Sequence, residues 1–310
     1  MTISRRSGIL YTFSAFSIWG FLTLYWKWLD SVPSGVVLAH RIVWGFVFMV
    51  IVLIMRHELT ALKMQLALLW HRPGELFIVT AGSIAISANW LIYVWAVAHA
   101  HVIEASLGLY IIPLLSMLTG LLFLKERSGV GAAVSMGLAG TGVLLMTLHY
   151  GHVPWLALSL AVTSAVYSLC KKKAVLEAYV GMAVETMLML PFAVFFLIFY
   201  SFQVPESIRT FLHPAGPLLI GAGVLTALPL IWFAEGAKRI SLTMIGFFQY
   251  MTPTAAFLIG RFVFHERVTS VQLLSFLFIW LSIIVYTGNE LVTNKRNRNT
   301  HAAHPLTSRR

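Results

Sequence analysis

The sequence predicts an all-α integral membrane protein: ten transmembrane helices arranged as two five-helix repeats of opposite orientation. Three observations predict it. The chain of 310 residues is 59% hydrophobic, with mean hydropathy +0.83 and only 11% charged residues, whereas a soluble domain carries about 25%. Its apolar residues gather into ten stretches, each near the roughly 20 residues that a helix needs to cross the hydrocarbon core. Five identities also recur at one offset: Tyr110, Pro113, Gly120, Glu126 and Arg127 return 140 positions later as Tyr250, Pro253, Gly260, Glu266 and Arg267. Internal repeats inside a membrane are a mark of secondary transporters.

The first span, Gly8–Trp26, follows Ser4-Arg5-Arg6, a pattern that suggests a twin-arginine signal. It runs into Lys27 with no convincing small-residue cleavage site and nine spans follow, so it reads as an uncleaved helix. The second, Ser34–Met55, holds His40 and Arg41; the third, Glu75–Ala98, holds Asn89, Trp90 and Tyr93. The fourth, Ile103–Leu124, opens on Glu104 and contains Tyr110 and Pro113. The fifth, Gly129–Thr147, carries Gly129, Ala133, Gly137 and Thr141 at spacing four, a stripe suited to close helix approach, either inside the molecule or against a second copy. Val153–Cys170, Tyr179–Tyr200 with Glu185, Gly216–Gly236 with Glu235, Ser241–Phe262 with Gln249, Tyr250 and Pro253, and Thr269–Thr287 complete the set. Residues 1–147 then form the first repeat, 148–290 the second, and 291–310 a basic cytoplasmic tail expected to be disordered.

Lys and Arg set the orientation. With the N-terminus inside, seventeen fall in cytoplasmic segments and five (Lys27, Arg41, Arg209, Arg261 and Arg267) on the other side. The excess places both termini in the cytoplasm. The net charge of +11 reflects this topology rather than nucleic-acid binding. Cys170 is the sole cysteine and Asp30 the sole aspartate, which removes disulfides and Asp-based metal or phosphoryl chemistry. No Gly-Lys dipeptide exists, hence no Walker A loop. No cofactor or metal is expected.

A weaker offset of 145 pairs Trp19-Gly20 with Ser164-Ala165, Lys27 with Lys172, and His40-Arg41 with Glu185-Thr186. Five spans is an odd number, so two such repeats in series are inverted, the arrangement behind alternating access. The stretches Asn89-Trp90, His101-Val102-Ile103-Glu104-Ala105-Ser106-Leu107-Gly108 and Pro113-Leu114 resemble the RarD-type branch of the EamA transporters, in the drug/metabolite transporter superfamily. Ala39-His40-Arg41 and Gln249-Tyr250-x-x-Pro253 fit the same branch. The resemblance spans nearly the whole chain except the tail. It implies ten helices, two EamA repeats and the cytoplasmic membrane. The family name carries a link to chloramphenicol, but the resemblance assigns no substrate here.

An ionisable residue inside a span costs at least about 2.5–3.5 kcal/mol at the helix centre, so each is a candidate for function. Arg41, facing a cavity, would bind an anionic group; facing lipid, it would snorkel. Glu104 is the acid in the same leaflet and is expected to approach it or share its vestibule. Glu185, in the opposite leaflet, should not touch Arg41; its expected basic neighbours are Lys172, Lys173 and Lys238. It is either a proton carrier or a glutamate paired with lysine. Glu235 shares a helix face with Lys238 and Arg239. Asn89 and Tyr93 share one inward face, and Gln249, Pro253 and Gly260 another. Pro113 and Pro253 each free a carbonyl one turn earlier and are hinges, ligand-facing kinks or passive kinks. Trp19 and Trp90 are aromatic cavity candidates. His40 belongs with Arg41, and Tyr110 and Tyr250 line the cavity or pack the core. The four histidines His99, His101, His149 and His152 lack acidic partners for metal.

The function that follows is secondary transport, as an exporter of a small polar or amphipathic metabolite or drug, by a monomer or homodimer. The first span has no acid, so proton coupling would fall to Glu185, Glu104 or Glu235. A membrane-embedded enzyme would need a cluster of acids or histidines at one interface. A non-transporting scaffold would usually carry a soluble domain or long loops. A polar cavity near the midplane separates the first reading from the other two.

Overall fold

The computed structural model describes residues 5–29, 31–99, 101–126, 129–151, 153–203, 215–263, 265 and 268–303. Asp30, Arg127, His152, Arg209, Glu266, Arg267 and residues 304–310 lie outside this set, as do the side chains of 293–303. In a bilayer the backbone cannot bond to water, so each segment must satisfy its own N–H and C=O groups, and a helix does so. Among the described residues there are twelve helices and no strands: α1 Arg5–Trp28, α2 Ser34–Met55, α3 Leu59–His71, α4 Pro73–Ala98, α5 Val102–Phe123, α6 Val130–Tyr150, α7 Trp155–Lys173, α8 Ala178–Gln203, α9 Ala215–Ala237, α10 Leu242–Gln249, α11 Met251–Phe262 and α12 Ser270–Ala303. Nine helical segments among them are long and apolar enough to cross a membrane, α10 and α11 counting as one. The 19-residue α7, ending in three lysines, packs between α4 and α5. Large apolar side chains such as Phe192, Phe195, Phe202 and Leu122 point outward, the surface expected where the solvent is lipid.

Contacts collect at two ends. At one, Arg5 pairs with Glu290, Lys172 donates to the Ile240 carbonyl, and Lys238 to that of Leu176. There too the Arg56 guanidinium lies 4.1 Å from the Tyr179 ring centroid. This basic end gathers the starts of α1, α8 and α10 and the ends of α2, α7 and α9. At the other, Tyr25 donates to the Leu218 carbonyl, and Glu104 at the start of α5 meets Tyr150 and Leu156.

The main packing pairs map onto one another when α1, α2, α4, α5 and α6 are exchanged for α7, α8, α9, α10–α11 and α12. α6 packs on α12, α5 on α10, and α2 on α8, each pair its own counterpart. The contact of α5 with α7 is matched by α1 with α11, that of α4 with α7 by α1 with α9, and that of α2 with α9 by α4 with α8. The backbone repeats as well: Lys125 and His265, 140 positions apart, are both left-handed, at φ 52° and 54°.

Four features depart from the sequence reading. α3 lies between the second and third predicted spans, where the sequence marks no element; its 13 residues are too few to cross the core, but they are mostly strong helix formers and bury Leu69. The ninth span is broken at Tyr250, because Pro253 has no N–H to offer the Gln249 carbonyl. α12 runs through the start of the expected disordered tail to Ala303; once a helix is nucleated, each added residue extends it at little cost. The small-residue stripe of α6 makes no internal contact: Ala133, Gly137 and Thr141 are exposed, and a Cβ on Gly137 or Gly129 would meet nothing within 4 Å. α6 meets α12 through the adjacent face, where a Cβ on Gly142 would come within 2.7 Å of the Ser275 carbonyl. Gly142→Leu should therefore lower the melting temperature of the detergent-purified protein, by overpacking worth about 1–3 kcal/mol or more. Gly137→Leu should leave it unchanged.

Candidate functional site

A cavity of about 190 Å³ lies where α1, α2, α4, α5, α7, α9, α10 and α11 converge. Its wall includes Phe16, Ile86, Ile112, Ser164, Thr226 and Thr252, each within about one residue of the midpoint of its helical segment. The cavity therefore sits halfway between the two ends of the bundle.

Arg41 reaches this cavity from α2. Its Nε donates to Thr226 Oγ1 at 2.9 Å. The guanidinium is held between two indoles, 4.8 Å from the Trp26 centroid and 5.1 Å from that of Trp90. Glu104 does not join it, contrary to expectation. The Glu104 carboxylate instead accepts from Leu156 N (2.7 Å) at the start of α7 and from Tyr150 Oη (3.2 Å), with His101 Nδ1 at 3.9 Å. A carboxylate at a helix N-terminus bonds the unsatisfied N–H groups there and meets the positive end of the helix dipole, and this holds Glu104 away from α2.

Of the other predicted residues, Trp19, Asn89, Trp90, Pro113, Gln249 and Pro253 line the cavity. Trp19 packs edge-on against Phe16 at 5.0 Å. Asn89 Nδ2 donates to the Leu160 carbonyl and Thr163 Oγ1, tying α4 to α7. Gln249 is buried, and its Oε1 has no hydrogen-bond partner among the described residues. The carbonyls deprived of a helical donor by Pro113 and Pro253 belong to Leu109 and Gln249, and both residues are on the cavity wall. Tyr110 and Tyr250 are not. Tyr110 packs edge-on against Phe276 at 5.2 Å, and Tyr250 is fully buried in the core. His40 is half-buried off the cavity, and Tyr93 is exposed off it, yet close enough to Arg41 to interact electrostatically.

Glu185 has a partner that the sequence reading missed. Lys171 Nζ donates to its Oε1 at 2.8 Å and Tyr167 Oη to its Oε2 at 3.3 Å. Both ionic side chains are buried, at 6% and 7% exposure. Of the expected neighbours, Lys172 turns to the Ile240 carbonyl, while Lys238 shares a small pocket with the pair. Lys238 lies just past α9; burial and then the Lys171 ammonium pull its pKa below the usual lysine value, against Glu177. Glu185 and Arg41 make no ion pair but line one space of about 20 Å³, enough for a single water. Glu235 pairs with Arg239 one turn on, as its spacing predicts.

The EamA-like transporter family matches residues 6–148. An uncharacterized transporter, YojE, of Bacillus subtilis (strain 168) is 42% identical over 299 residues, which cover 96% of this chain and 98% of that one. Protein RarD of Escherichia coli (strain K12) is 35% identical over 295 residues, covering 94% and 97%. The chain belongs to the EamA family, as a RarD-type member. One solved crystal structure, 19% identical, superposes on this EamA protein with a TM-score of 0.66 over 91% of this chain and 97% of the other, a likeness of fold. Family and helices together make it a multi-pass membrane transporter of the drug/metabolite kind.

Several wall residues of this EamA site were not singled out in advance. Thr226 is one polar residue in an apolar helix, and its role depends on Arg41, 185 positions away. Ser164, Tyr167 and Ser168 share a face of α7 by their spacing, and Ser164 is the offset-145 mate of Trp19. That pairing was the available signal. Lys171 is one of three adjacent lysines in the last turn of its helix, which sequence alone does not tell apart.

Proposed function

We propose that this protein is a secondary transporter that exports a small polar or amphipathic metabolite or drug across the inner membrane by alternating access. The observation that carries the reading is the cavity at the helix midpoints, lined from both halves of the chain, where transporters built of inverted repeats hold their substrates. The exchange-symmetric packing and the paired left-handed residues Lys125 and His265 support two inverted five-span repeats, residues 1–147 and 148–290. The family match over 6–148 supports the first of them. Both termini then lie in the cytoplasm with the basic end. There, the Lys171–Glu185 pair and the bonds of Lys172, Lys238 and Glu126 close the bundle below the cavity, and export would require them to open.

The test is a metabolite comparison of cells carrying an empty vector, the intact chain, or Arg41→Ala at equal protein level. A compound enriched several-fold outside with the intact chain alone is the expected result. Enrichment inside would reverse the direction. Identical metabolomes for vector and intact chain would overturn the transport reading.

A further inference from the structure

Arg41 is the only charged residue on the wall of the central cavity among the described residues. A guanidinium offers five N–H donors. One bonds Thr226, and among the described residues no protein acceptor takes the other four. No carboxylate of the described residues lies within 4.0 Å of it. Glu185 shares the water-sized space beside Arg41, but its charge is already matched by Lys171 at 2.8 Å. Counting that pair, the surroundings of the cavity keep one net positive charge.

An unneutralised cation inside a bilayer is expensive. The two indoles return part of the cost through cation–π attraction, and Thr226 returns a little more. They also hold the guanidinium at the cavity wall. A planar fork held in this way suits a carboxylate, which accepts two parallel N–H bonds. The rest of the wall is aromatic and aliphatic, with Phe16, Trp19, Phe233 and Leu230 around the neutral amides of Asn89 and Gln249. Such a wall suits an apolar body. A phosphate dianion would leave one charge unmatched by a single arginine, and a cation would face a positive field with no acid to meet it.

We infer that the cavity binds a small organic monoanion, a carboxylate on an apolar or aromatic body, with its carboxylate seated on Arg41 between Trp26 and Trp90. The inference rests on the transporter reading only in calling this ligand the substrate. The volume of about 190 Å³ limits the ligand to a small molecule.

The probes are benzoate, benzamide and benzylamine, which share a ring and differ in charge. They are titrated against the intact purified chain in nanodiscs, by tryptophan fluorescence and by ligand-induced thermal shift. Benzoate should bind at least tenfold more tightly than either of the others. Arg41→Gln should lower benzoate affinity at least tenfold and erase the charge preference, while Arg41→Lys should keep the preference at reduced affinity. Equal binding of benzoate and benzamide, preference for benzylamine, or no binding of benzoate overturns the inference. These readings come from the unmutated chain and stand even if a variant fails to fold. Counterflow of the labelled probes in proteoliposomes separates the two proposals. Flux of benzamide or benzylamine without benzoate leaves a transporter and removes the anion site. Arg41-dependent binding of benzoate without flux keeps the site and counts against transport.

Discussion

Replacing Glu185 with leucine should lower the unfolding free energy of the purified protein by about 3–5 kcal/mol, the usual consequence of leaving one member of a buried ion pair alone. The pair is buried on both sides, and three groups depend on it: Lys171, Tyr167 through its hydroxyl, and the aromatic wall that Tyr167 shares with Phe233 at 5.9 Å. Loss of Lys171 should be milder. Lys238 lines the same pocket, so in Lys171→Met the remaining carboxylate has a second ammonium within reach. In Glu185→Leu, by contrast, Lys171 loses its carboxylate partner while Lys238 still lines the same pocket. The double variant Lys171→Met/Glu185→Leu should recover most of the loss, because well-packed apolar residues of similar volume often replace a buried pair at little or no cost. Thermal melting of the four proteins in one detergent measures this cycle. Additive losses would mean that the pair contributes no coupling and that Glu185 is held by Tyr167 alone. In the proposed transport cycle the pair closes the bundle between the cavity and the basic end, so Glu185→Gln tests coupling separately. If Glu185 carries the proton, transport loses its pH dependence; if the pair is only structural, yield falls and the pH profile keeps its shape.

The parts of this architecture that were legible in the sequence are those written in local patterns. Apolar runs of membrane-crossing length give the long helices, because lipid forces each one to satisfy its own backbone. The recurrence of Tyr110, Pro113 and Gly120 at one offset is the pattern behind the proposed two-repeat reading. The wall residues Trp19, Asn89, Trp90 and Gln249 could be named because polar or large aromatic groups deep in a span need an inward face. Partners across the bundle were not legible. Glu104 was assigned to Arg41 by leaflet alone, but a leaflet specifies depth and not azimuth, and the free N–H groups at the start of α7 were nearer. Lys171 was hidden among three adjacent lysines, since α-helical geometry turns only one of the three toward Glu185. The two readings of the stripe on α6 could not be separated for a similar reason. Spacing four identifies a face but not whether a neighbour lies against it, and the Gly142 face one step round the helix is the one that α12 covers.

Glu126→Ala should cost about 2–3 kcal/mol, the worth of one or two hydrogen bonds to a charged acceptor, and it should loosen one half of the molecule from the other. The side chain is launched by the left-handed turn at Lys125 and the bond from Glu126 N to the Gly120 carbonyl at 3.2 Å. Its carboxylate then accepts three bonds from the start of α10: Leu242 N at 2.6 Å, Thr243 N at 2.9 Å and Thr243 Oγ1 at 2.8 Å. Two are orphan amides of a helix N-terminus, where a negative charge also meets the helix dipole. α10 carries Gln249 into the cavity wall seven residues later, so a shift at its start is transmitted to the site. Glu126→Gln keeps one acceptor oxygen without the charge and should lose about half as much as alanine. Thr243→Val removes only the hydroxyl donor and should cost about 0.5–1.5 kcal/mol. Hydrogen exchange at the amides of Leu242 and Thr243 reads the contact directly. Protection should fall in Glu126→Ala and stay near normal at Met244, whose amide is capped separately by Ser241 Oγ at 3.1 Å. Equal loss of protection at all three would mean that the whole turn unfolds and that Glu126 is not a local staple between the halves.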